Sequence, residues 1–340
     1  MSSPYVMRPA RLDDFDALME MAEESGPGFT SLPVDEGIIS GRLKKSAASF
    51  AGEIDPIEYG KYLMMLENTD TGEIGGCSAV KAGTGIDAPF FNYRIITLAQ
   101  ASLAADRRFD MDALVLTNEF VGFTEVGTLF VREGHRGNGI GRLTAQARYL
   151  LMATQPERFG DMVLAELRGV VDKDGKTPFW DHLGRPFFRM EFVEADYLSA
   201  TTNNQFILDL MPKYPIYVDL LPPEAREVIG RCHADGVGAM KLLEWEGFRF
   251  ERVVDIFDGG PMVVAQRELI RTIREARVVT LEAGEAEGET GLAARCDLDQ
   301  FRATQLIGET RGRDRFTTSA ETLERLHLKS GDKARIWLRT

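Results

Sequence analysis

An apolar strand that runs straight into a glycine-rich turn is the feature that most constrains this chain. The segment reads Leu-Phe-Val-Arg-Glu-Gly-His-Arg-Gly-Asn-Gly-Ile-Gly-Arg-Leu over 129–143, and a helix pattern begins inside it. Such a turn points several backbone N–H groups at one place, at the positive end of a helix dipole, and this arrangement binds pyrophosphate. Glycine suits the turn because a Cβ would block close approach and a positive φ costs glycine little.

Three families of phosphate-binding site share a glycine turn, and a plain surface turn is a fourth interpretation. A P-loop would end in Gly-Lys-Ser/Thr, whereas Gly141 is followed by Arg142 and Leu143. A dinucleotide fold would place the turn near its first strand, but here it comes late, after strands that look antiparallel. The pattern Arg-x-x-Gly-x-Gly over 136–141 resembles the coenzyme A loop of the GNAT superfamily of N-acyltransferases.

That resemblance implies a CoA site made by the strand and the turn together. The strand would bond the pantetheine arm and the thioester through its backbone, and the turn would hold the pyrophosphate. We therefore expect cofactor binding by Leu129, Phe130, Val131, Arg136, Gly137, Asn138, Gly139, Gly141 and Arg142. Arg132 is expected to join Arg136 and Arg142 in a local positive cluster, since CoA is a polyanion and the chain is not basic.

Composition narrows the remaining classes. A net charge of −13 argues against nucleic acid as a partner. No apolar run reaches the roughly 18 residues of a membrane helix, and no signal peptide is recognisable, so we expect a cytoplasmic protein with no membrane contact. The 3 cysteines are far apart and the 4 histidines are scattered, which predicts reduced thiols and no metal site.

Hydrophobic periodicity predicts an α/β (α+β) fold around a mixed, mostly antiparallel sheet. After the strand at 162–170 two segments compete for the next helix, 178–188 and 239–248. The second leads into a closing hairpin near 250–265, so 176–236 is interpreted as an insertion. We expect an N-acyltransferase domain over 1–280, an acidic linker over 281–292 and a small β subdomain over 293–340.

Phrases spread along the chain point to a narrower relationship. The chain resembles the arginine N-succinyltransferase family in the phrases Gly28-Phe-Thr-Ser-Leu-Pro33, Asn92-Tyr-Arg94, Thr128-Leu-Phe130, Pro178-Phe-Trp180, Leu210-Met-Pro212, Pro215-Ile-Tyr217, Val228-Ile-Gly230 and Val254-Asp-Ile-Phe-Asp-Gly-Gly-Pro261. The resemblance implies transfer of succinyl from succinyl-CoA to the α-amino group of L-arginine. It carries succinyl-CoA binding to Leu129 and a proton-donor role to His233, although Ala234 stands where the family has proline.

The chemistry of direct attack by an amine sets what else is needed. The thioester must be polarised, the amine must be neutral and the leaving thiolate must gain a proton, a task that suits His233. His233 is otherwise a surface-loop histidine, His135 is its rival, and His182 is expected to pack in the core. Cys77 is expected to be buried filler.

The two charged ends of the substrates each need an opposite charge or hydrogen-bond donors and acceptors. For the succinyl carboxylate the candidates are Arg94, Thr30 and Ser31, and for the arginine guanidinium Glu166, Asp255 and Asp258. An N-acyltransferase using acetyl-CoA or ornithine, or a CoA-binding module without turnover, stays open, as does a homo- or hetero-oligomer.

Overall fold

In the part of the chain that the structure describes, fifteen strands form one continuous hydrogen-bonded sheet with helices on both faces. The structure is a computed structural model that describes residues 3–26, 29, 31–202, 204–285 and 287–339. The strands are β1 (Tyr5–Pro9), β2 (Lys61–Asn68), β3 (Ile74–Lys81), β4 (Asn92–Ser102), β5 (Arg107–Thr117), β6 (Thr124–Val131), β7 (Met162–Glu166), β8 (Ile216–Tyr217), β9 (Arg249–Asp255), β10 (Pro261–Gln266), β11 (Arg277–Ala283), β12 (Glu289–Arg295), β13 (Ala303–Arg311), β14 (Arg315–Thr318) and β15 (Lys333–Leu338).

The helices alternate with these strands, as the hydrophobic periodicity predicted for an α/β (α+β) fold. They are α1 (Phe15–Ser25), α2 (Glu36–Phe50), α3 (Ile140–Thr154), α4 (Arg185–Phe188), α5 (Phe192–Thr201), α6 (Gln205–Leu210), α7 (Pro223–Arg226), α8 (Val237–Glu246), α9 (Arg271–Glu275) and α10 (Ala320–Arg325). Of the two segments that competed for one helix, 239–248 holds most of α8, which ends at Gly247 with φ 106°. The competing segment, 178–188, is helical as well.

The sheet is mixed and mostly antiparallel, as predicted. Its strand order is β12-β15-β11-β14-β13-β1-β2-β3-β6-β7-β10-β9-β4-β5-β8. Within the described part of the chain, only β6–β7 and β11–β14 pair in parallel. Parallel strands need a crossover, and between β6 and β7 that crossover contains the glycine turn and α3.

The pairing of β6 with β7 stops early, and this opens the sheet. The two strands are in register only at Thr124 with Val163 and at Glu125 with Leu164. On its other edge β6 remains paired with β3 as far as Val131, across a bulge where Thr128 has φ 50°. A bulge bends its strand and re-aims the following backbone. The remainder of β6, over 126–131, therefore presents one edge to an opening between the strands.

The two faces of the sheet have separate cores. Val163 and Ala165 of β7 pack in the cluster that contains the buried face of α3. Leu164 points to the opposite face, as the alternation of a strand requires, and packs there with Val253 and Met262. The helices α1 and α2 cover the part of that opposite face formed by β2 and β3.

The region interpreted as an insertion, 176–236, is mostly helical and has a core of its own. Its short strand β8 pairs with β5, and fully buried Phe179 and Trp180 anchor its hydrophobic cluster. Phe179 and Trp180 therefore belong to the hydrophobic core, whereas Tyr217 is partly exposed.

The prediction of a linker over 281–292 is wrong. Residues 281–283 belong to β11 and 289–292 to β12, and Leu281 and Leu292 are buried. Acidic residues made the segment look solvated, but they alternate with the apolar side chains of strands whose other face is covered. The strands β12, β15, β11, β14 and β13 close into a ring, since β13 also pairs with β12, and β13 joins the ring to β1.

Candidate active site

The glycine turn has the backbone form that the sequence predicted. Gly137, Asn138 and Gly139 all have positive φ, at 104°, 46° and 79°, and α3 begins at Ile140. The turn is exposed, whereas α3 is buried from Leu143 to Ala153. Asparagine tolerates the left-handed region better than most residues with a Cβ, so Asn138 can take the middle of the run.

The turn leaves a set of backbone donors facing outward. Ile140 N–H donates to the carbonyl of Gly137 at 2.9 Å and Leu143 N–H to that of Gly139 at 3.0 Å, which fixes the turn. Among the residues that the structure describes, no acceptor contacts the N–H groups of Gly137, Asn138, Gly139, Gly141 and Arg142. Unpaired donors at a helix N-terminus form an anion-binding site.

The positive charges around the turn differ from the expected cluster. Arg136 is exposed and its Nε donates to the carbonyl of Val131 at 3.0 Å. Arg142 lies 4.7 Å from the ring centroid of Trp245. Arg132 instead pairs with two glutamates of α1, Glu20 at 2.6 Å and Glu24 at 3.1 Å. Its expected place in the positive cluster is therefore wrong, because its charge is already compensated.

The open edge of β6 carries Leu129 and Val131. Arg132 N–H donates to the carbonyl of Gly75, so it faces β3. The Val131 carbonyl faces the other way, since the Arg136 side chain reaches it. Backbone groups alternate along a strand, which places the N–H of Leu129 on the same open edge as Val131. The edge next to the opening therefore has backbone groups available to a ligand.

His233 lies in the loop before α8, beside the end of β7. Its N–H donates to the carbonyl of Arg168 at 2.8 Å, and Gly230 N–H donates to Gly259 at 2.8 Å. The ring nitrogen Nδ1 accepts from the N–H of Asp235 at 3.2 Å. The ring is half-buried. In the part of the chain that is described, Nε2 has no partner and is left for a ligand.

The other two histidines considered are occupied elsewhere. Nδ1 of His135 is 2.8 Å from the Tyr5 hydroxyl, and the two rings pack edge to face. His182 was expected to pack in the core, but it is exposed and lies 3.4 Å from Glu224. The expectation is wrong because the neighbouring residues Trp180 and Leu183, rather than His182, point inward.

Two of the acidic candidates are tied into the turn between β9 and β10. Asp255 Oδ1 accepts from the N–H groups of Phe257 at 2.7 Å and Asp258 at 2.9 Å. Asp258 accepts from Gly169 at 2.6 Å and Gly260 at 2.7 Å. Both carboxyls are buried, and burial, then the charge of Asp255, raises the pKa of Asp258 well above its usual range.

Glu166, the third acidic candidate, has different surroundings from the two aspartates. Solvent reaches it at the end of β7, no backbone N–H of the described residues bonds its carboxyl, and it shares a side-chain hydrogen bond with Asp255. Surrounding protein atoms desolvate the group, and Asp255, Glu125 and Asp258 add negative charge. Together these effects raise the pKa of Glu166 well above its usual range.

Asn92 was not singled out as a site residue by sequence reasoning. It pairs with Asp255 across β4 and β9, and its side chain is fully buried. Neither its amide nitrogen nor its oxygen has a partner within the described residues. Buried polar atoms are almost always bonded in folded proteins, so such an orphan needs an explanation. An asparagine in a strand of apolar and aromatic residues was the available signal.

Of the residues considered for the succinyl carboxylate, Arg94 already forms an ion pair within the protein. Its Nε donates to Glu119 at 2.7 Å. Thr30 lies outside the described residues. The carbonyl of Ser31 accepts from Arg42 of α2, and burial lowers the pKa of Arg42 to about 10 against the opposing charge of Glu125. Arg42 thus places an enclosed positive charge near β6.

Cys77 is buried in β3, and burial raises the pKa of its thiol to about 12. A thiol that does not ionise is a poor nucleophile, which agrees with the expectation that Cys77 only fills space. Within the described ranges, no group of three or more His, Cys, Asp and Glu side chains could hold a metal ion.

Comparison with known proteins identifies the family. The family model described as "Arginine N-succinyltransferase beta subunit" matches residues 5–272, and the model for the C-terminal domain of that same beta subunit matches 274–337. This chain belongs to the arginine N-succinyltransferase family. An arginine N-succinyltransferase of Enterobacter sp. (strain 638) is 40% identical over 97% of this chain and 96% of its own length. One of Escherichia coli (strain 55989 / EAEC) is 38% identical over the same shares.

A solved structure agrees with this assignment over the whole chain. The structure described as arginine/ornithine succinyltransferase subunit AI from Pseudomonas aeruginosa superposes with a TM-score of 0.90 at 33% identity, and covers 99% of both chains. The family therefore includes the C-terminal ring as well as the sheet with the glycine turn. No helix among the described residues is long and apolar enough to cross a membrane.

Proposed function

We propose that this protein transfers the succinyl group of succinyl-CoA to the α-amino group of L-arginine, by direct attack of the amine. The observation that carries the proposal is the turn of unpaired backbone donors over 137–142, placed where β6 separates from β7, in a chain of this family. We further propose that the sheet and helices form a GNAT fold. The bulged β6 with one open edge, followed by the turn and α3, supports it.

Binding of the CoA part would use backbone more than side chains. The donors of Gly137, Asn138, Gly139, Gly141 and Arg142 suit the pyrophosphate, with Arg136 and Arg142 as counter-charges. The open edge at Leu129 and Val131 suits the pantetheine arm and the thioester oxygen, and Phe130, whose backbone groups face β3, would contribute only its apolar side chain.

Side chains near the opening would protonate the leaving thiolate and bind the succinyl carboxylate. His233 in its doubly protonated form would donate a proton from Nε2 to the departing sulfur, with Nδ1–H facing the Asp235 carboxylate 3.4 Å away. Arg42, enclosed beside Glu125 on β6, suits the terminal carboxylate that succinyl-CoA has and acetyl-CoA lacks.

Thiol release tests the function directly. Release from succinyl-CoA that requires L-arginine is expected, with acetyl-CoA and L-ornithine run alongside as the competing substrates. Release with acetyl-CoA but not succinyl-CoA would contradict the succinyl assignment, and a preference for ornithine would contradict the arginine assignment. CoA binding without release from any pair would favour the binding-module alternative.

The role of His233 gives a prediction of its own. His233→Ala should lower kcat by about 10²- to 10⁴-fold, the usual contribution of a positioned acid, with CoA affinity unchanged. His182→Ala, an exposed histidine paired with Glu224, is the matched control and should keep full activity. Near-normal turnover of His233→Ala, measured by thiol release at saturating substrate, would remove the assignment.

Assembly and location stay predictions from the sequence. A homo- or hetero-oligomer agrees with a family whose models and solved relative are described as subunits, and the cytoplasmic location rests on the sequence alone.

A further inference from the structure

Three carboxyl groups gather at the ends of β7 and β9, but their surroundings differ. Asp255 and Asp258 are buried and accept hydrogen bonds from backbone N–H groups that close the turn over 257–260. Glu166 has no such donor within the described residues and is open to solvent. The two aspartates therefore close the turn, whereas Glu166 closes no turn among the described residues and shares a side-chain hydrogen bond with Asp255 where solvent reaches it.

A second observation beside Glu166 points to a ligand. Glu166 pairs with Met262, which pairs with Val253, and Asp255 lies two residues further along that strand on the same face. Asn92 stands opposite Asp255 and so shares the face. Its fully buried amide has no partner at either atom among the described residues. A polar ligand on this face would satisfy donors and acceptors that the protein alone leaves unpaired.

Glu166 points to the face of the sheet away from α3, whereas the loop that carries His233 packs on the side of α3. Leu164, two residues before Glu166, packs on the face away from α3. Cys232, next to His233, packs against the cluster that contains Leu143 of α3. An acyl group held at the edge of β6 would thus have one titratable group on each side. An attacking amine and a leaving thiol need their proton transfers at separate places.

We propose that Glu166 is the general base that takes a proton from the α-ammonium group of the amino-acid substrate, with Asn92 bonding a polar group of that substrate. The inference rests on the proposed function. The R–NH3⁺ group gives one proton to the Glu166 carboxylate, and the R–NH2 nitrogen attacks the thioester carbon. The C–S bond then breaks, and the thiolate takes a proton from His233.

The proton balance closes without another reactant. The ammonium nitrogen starts with three protons and the amide keeps one. Of the two that leave, one passes from Glu166 to solvent, and the other replaces the proton that His233 gave to sulfur. The titratable groups facing Glu166 are Glu125 on β6, Asp255 on β9 and Asp258 in the turn, and this acidic surrounding favours an approaching cation. Arg168 opposes them at Asp258.

The pH dependence of kcat/KM for arginine tests the proposal. For the unaltered enzyme we expect an acid limb with a midpoint above the ordinary glutamate pKa of about 4.3. Glu166→Gln should lower kcat by about 10²- to 10⁴-fold and leave CoA affinity unchanged. Its residual rate should lack that limb and rise with the fraction of free amine. Glu166→Asp should keep the limb with a reduced rate, because a carboxylate remains.

Controls separate this role from a structural one. Glu157→Gln changes a glutamate that is 64% exposed in the turn before β7, and should match the unaltered enzyme. Asn92→Ala should raise the KM for arginine without changing CoA affinity. A Glu166→Gln enzyme with full turnover, or with the acid limb of the unaltered enzyme, would overturn the proposal. Absence of succinyl-CoA turnover in the unaltered enzyme would instead overturn the proposed function.

Discussion

Arg8 and Asp14 show how two opposite charges are buried together in this protein. Arg8 of β1 and Asp14, in the turn before α1, have side chains about 5% exposed, and two parallel hydrogen bonds of 2.7 and 2.8 Å join them. The Arg8 Nε also contacts Glu67 of β2. Asp14 in turn accepts from the N–H of Arg11 at 2.7 Å, so one buried carboxylate orients the chain between strand and helix. Removing one partner leaves the other charge buried and unpaired.

The prediction at this scale concerns Arg8. Arg8→Met should lower the free energy of unfolding by about 3–5 kcal/mol, because it leaves the buried Asp14 side chain without its ion-pair partner. Arg11→Ala changes an exposed arginine three residues away and should cost less than about 0.5 kcal/mol. Urea unfolding measures both. The double variant Arg8→Met with Asp14→Leu should cost less than the two single changes added together. An Arg8→Met loss below about 1 kcal/mol would show that the pair is not a structural requirement.

At the scale of helices and strands, the sequence predicted the elements whose formation depends on their own apolar periodicity. The period of apolar residues located α3, the helix in segment 239–248 and the closing hairpin near 250–265, since each shows a covered face in its own sequence. The linker error over 281–292 and the early end of β7 arose where neighbouring strands decide the outcome. The distinction between tied Asp255 and open Glu166 could not be predicted either. It depends on backbone donors at 257–260 and on strand pairing far away in sequence.

The prediction for elements concerns Asp87, which joins α2, β2 and β3. Its carboxylate lies 2.7 Å from Lys61, 3.5 Å from Lys81 and 3.6 Å from Lys45. Burial raises the pKa of Asp87, but these ammonium groups outweigh burial and hold the pKa well below its usual range. A lowered carboxyl pKa adds stability above the unfolded pKa of about 3.9, and that stability is lost as the pH falls towards the folded pKa.

Asp87→Asn should therefore lower stability at pH 7 by about 1 kcal/mol, a modest value because the side chains are partly exposed. The gap between Asp87→Asn and the unaltered protein should shrink as the pH falls below about 4. Thermal unfolding midpoints between pH 3 and pH 7 measure it. Asp70→Asn, in the exposed turn between β2 and β3, is the matched control. A gap of equal size at both ends of that range would contradict the explanation by charge.

For the whole molecule, the C-terminal ring extends to the glycine turn, a relationship absent from any local sequence pattern. The side-chain amide of Gln305 on β13 donates to the carbonyl of Asn138 at 2.7 Å. A Cβ on Gly139 would lie 2.8 Å from the same amide nitrogen. Burial, then the positive charge of Arg339 just after β15, lowers the pKa of Arg142. The ring thus adds positive potential and a fixed contact to the proposed CoA site.

Gln305 gives the prediction for the whole molecule. Gln305→Ala should weaken CoA binding by about 2- to 10-fold, because one hydrogen bond of about 0.5–1.5 kcal/mol no longer holds the turn in its binding form. Gln100→Ala, on the exposed hairpin of β4 and β5, is the matched control and should bind CoA normally. Calorimetric titration with CoA gives both affinities. Since the side chain of Gln305 contacts the turn, its loss should weaken CoA binding and leave the affinity for arginine unchanged. Equal CoA affinity in the two variants would show that the turn needs no support from the ring.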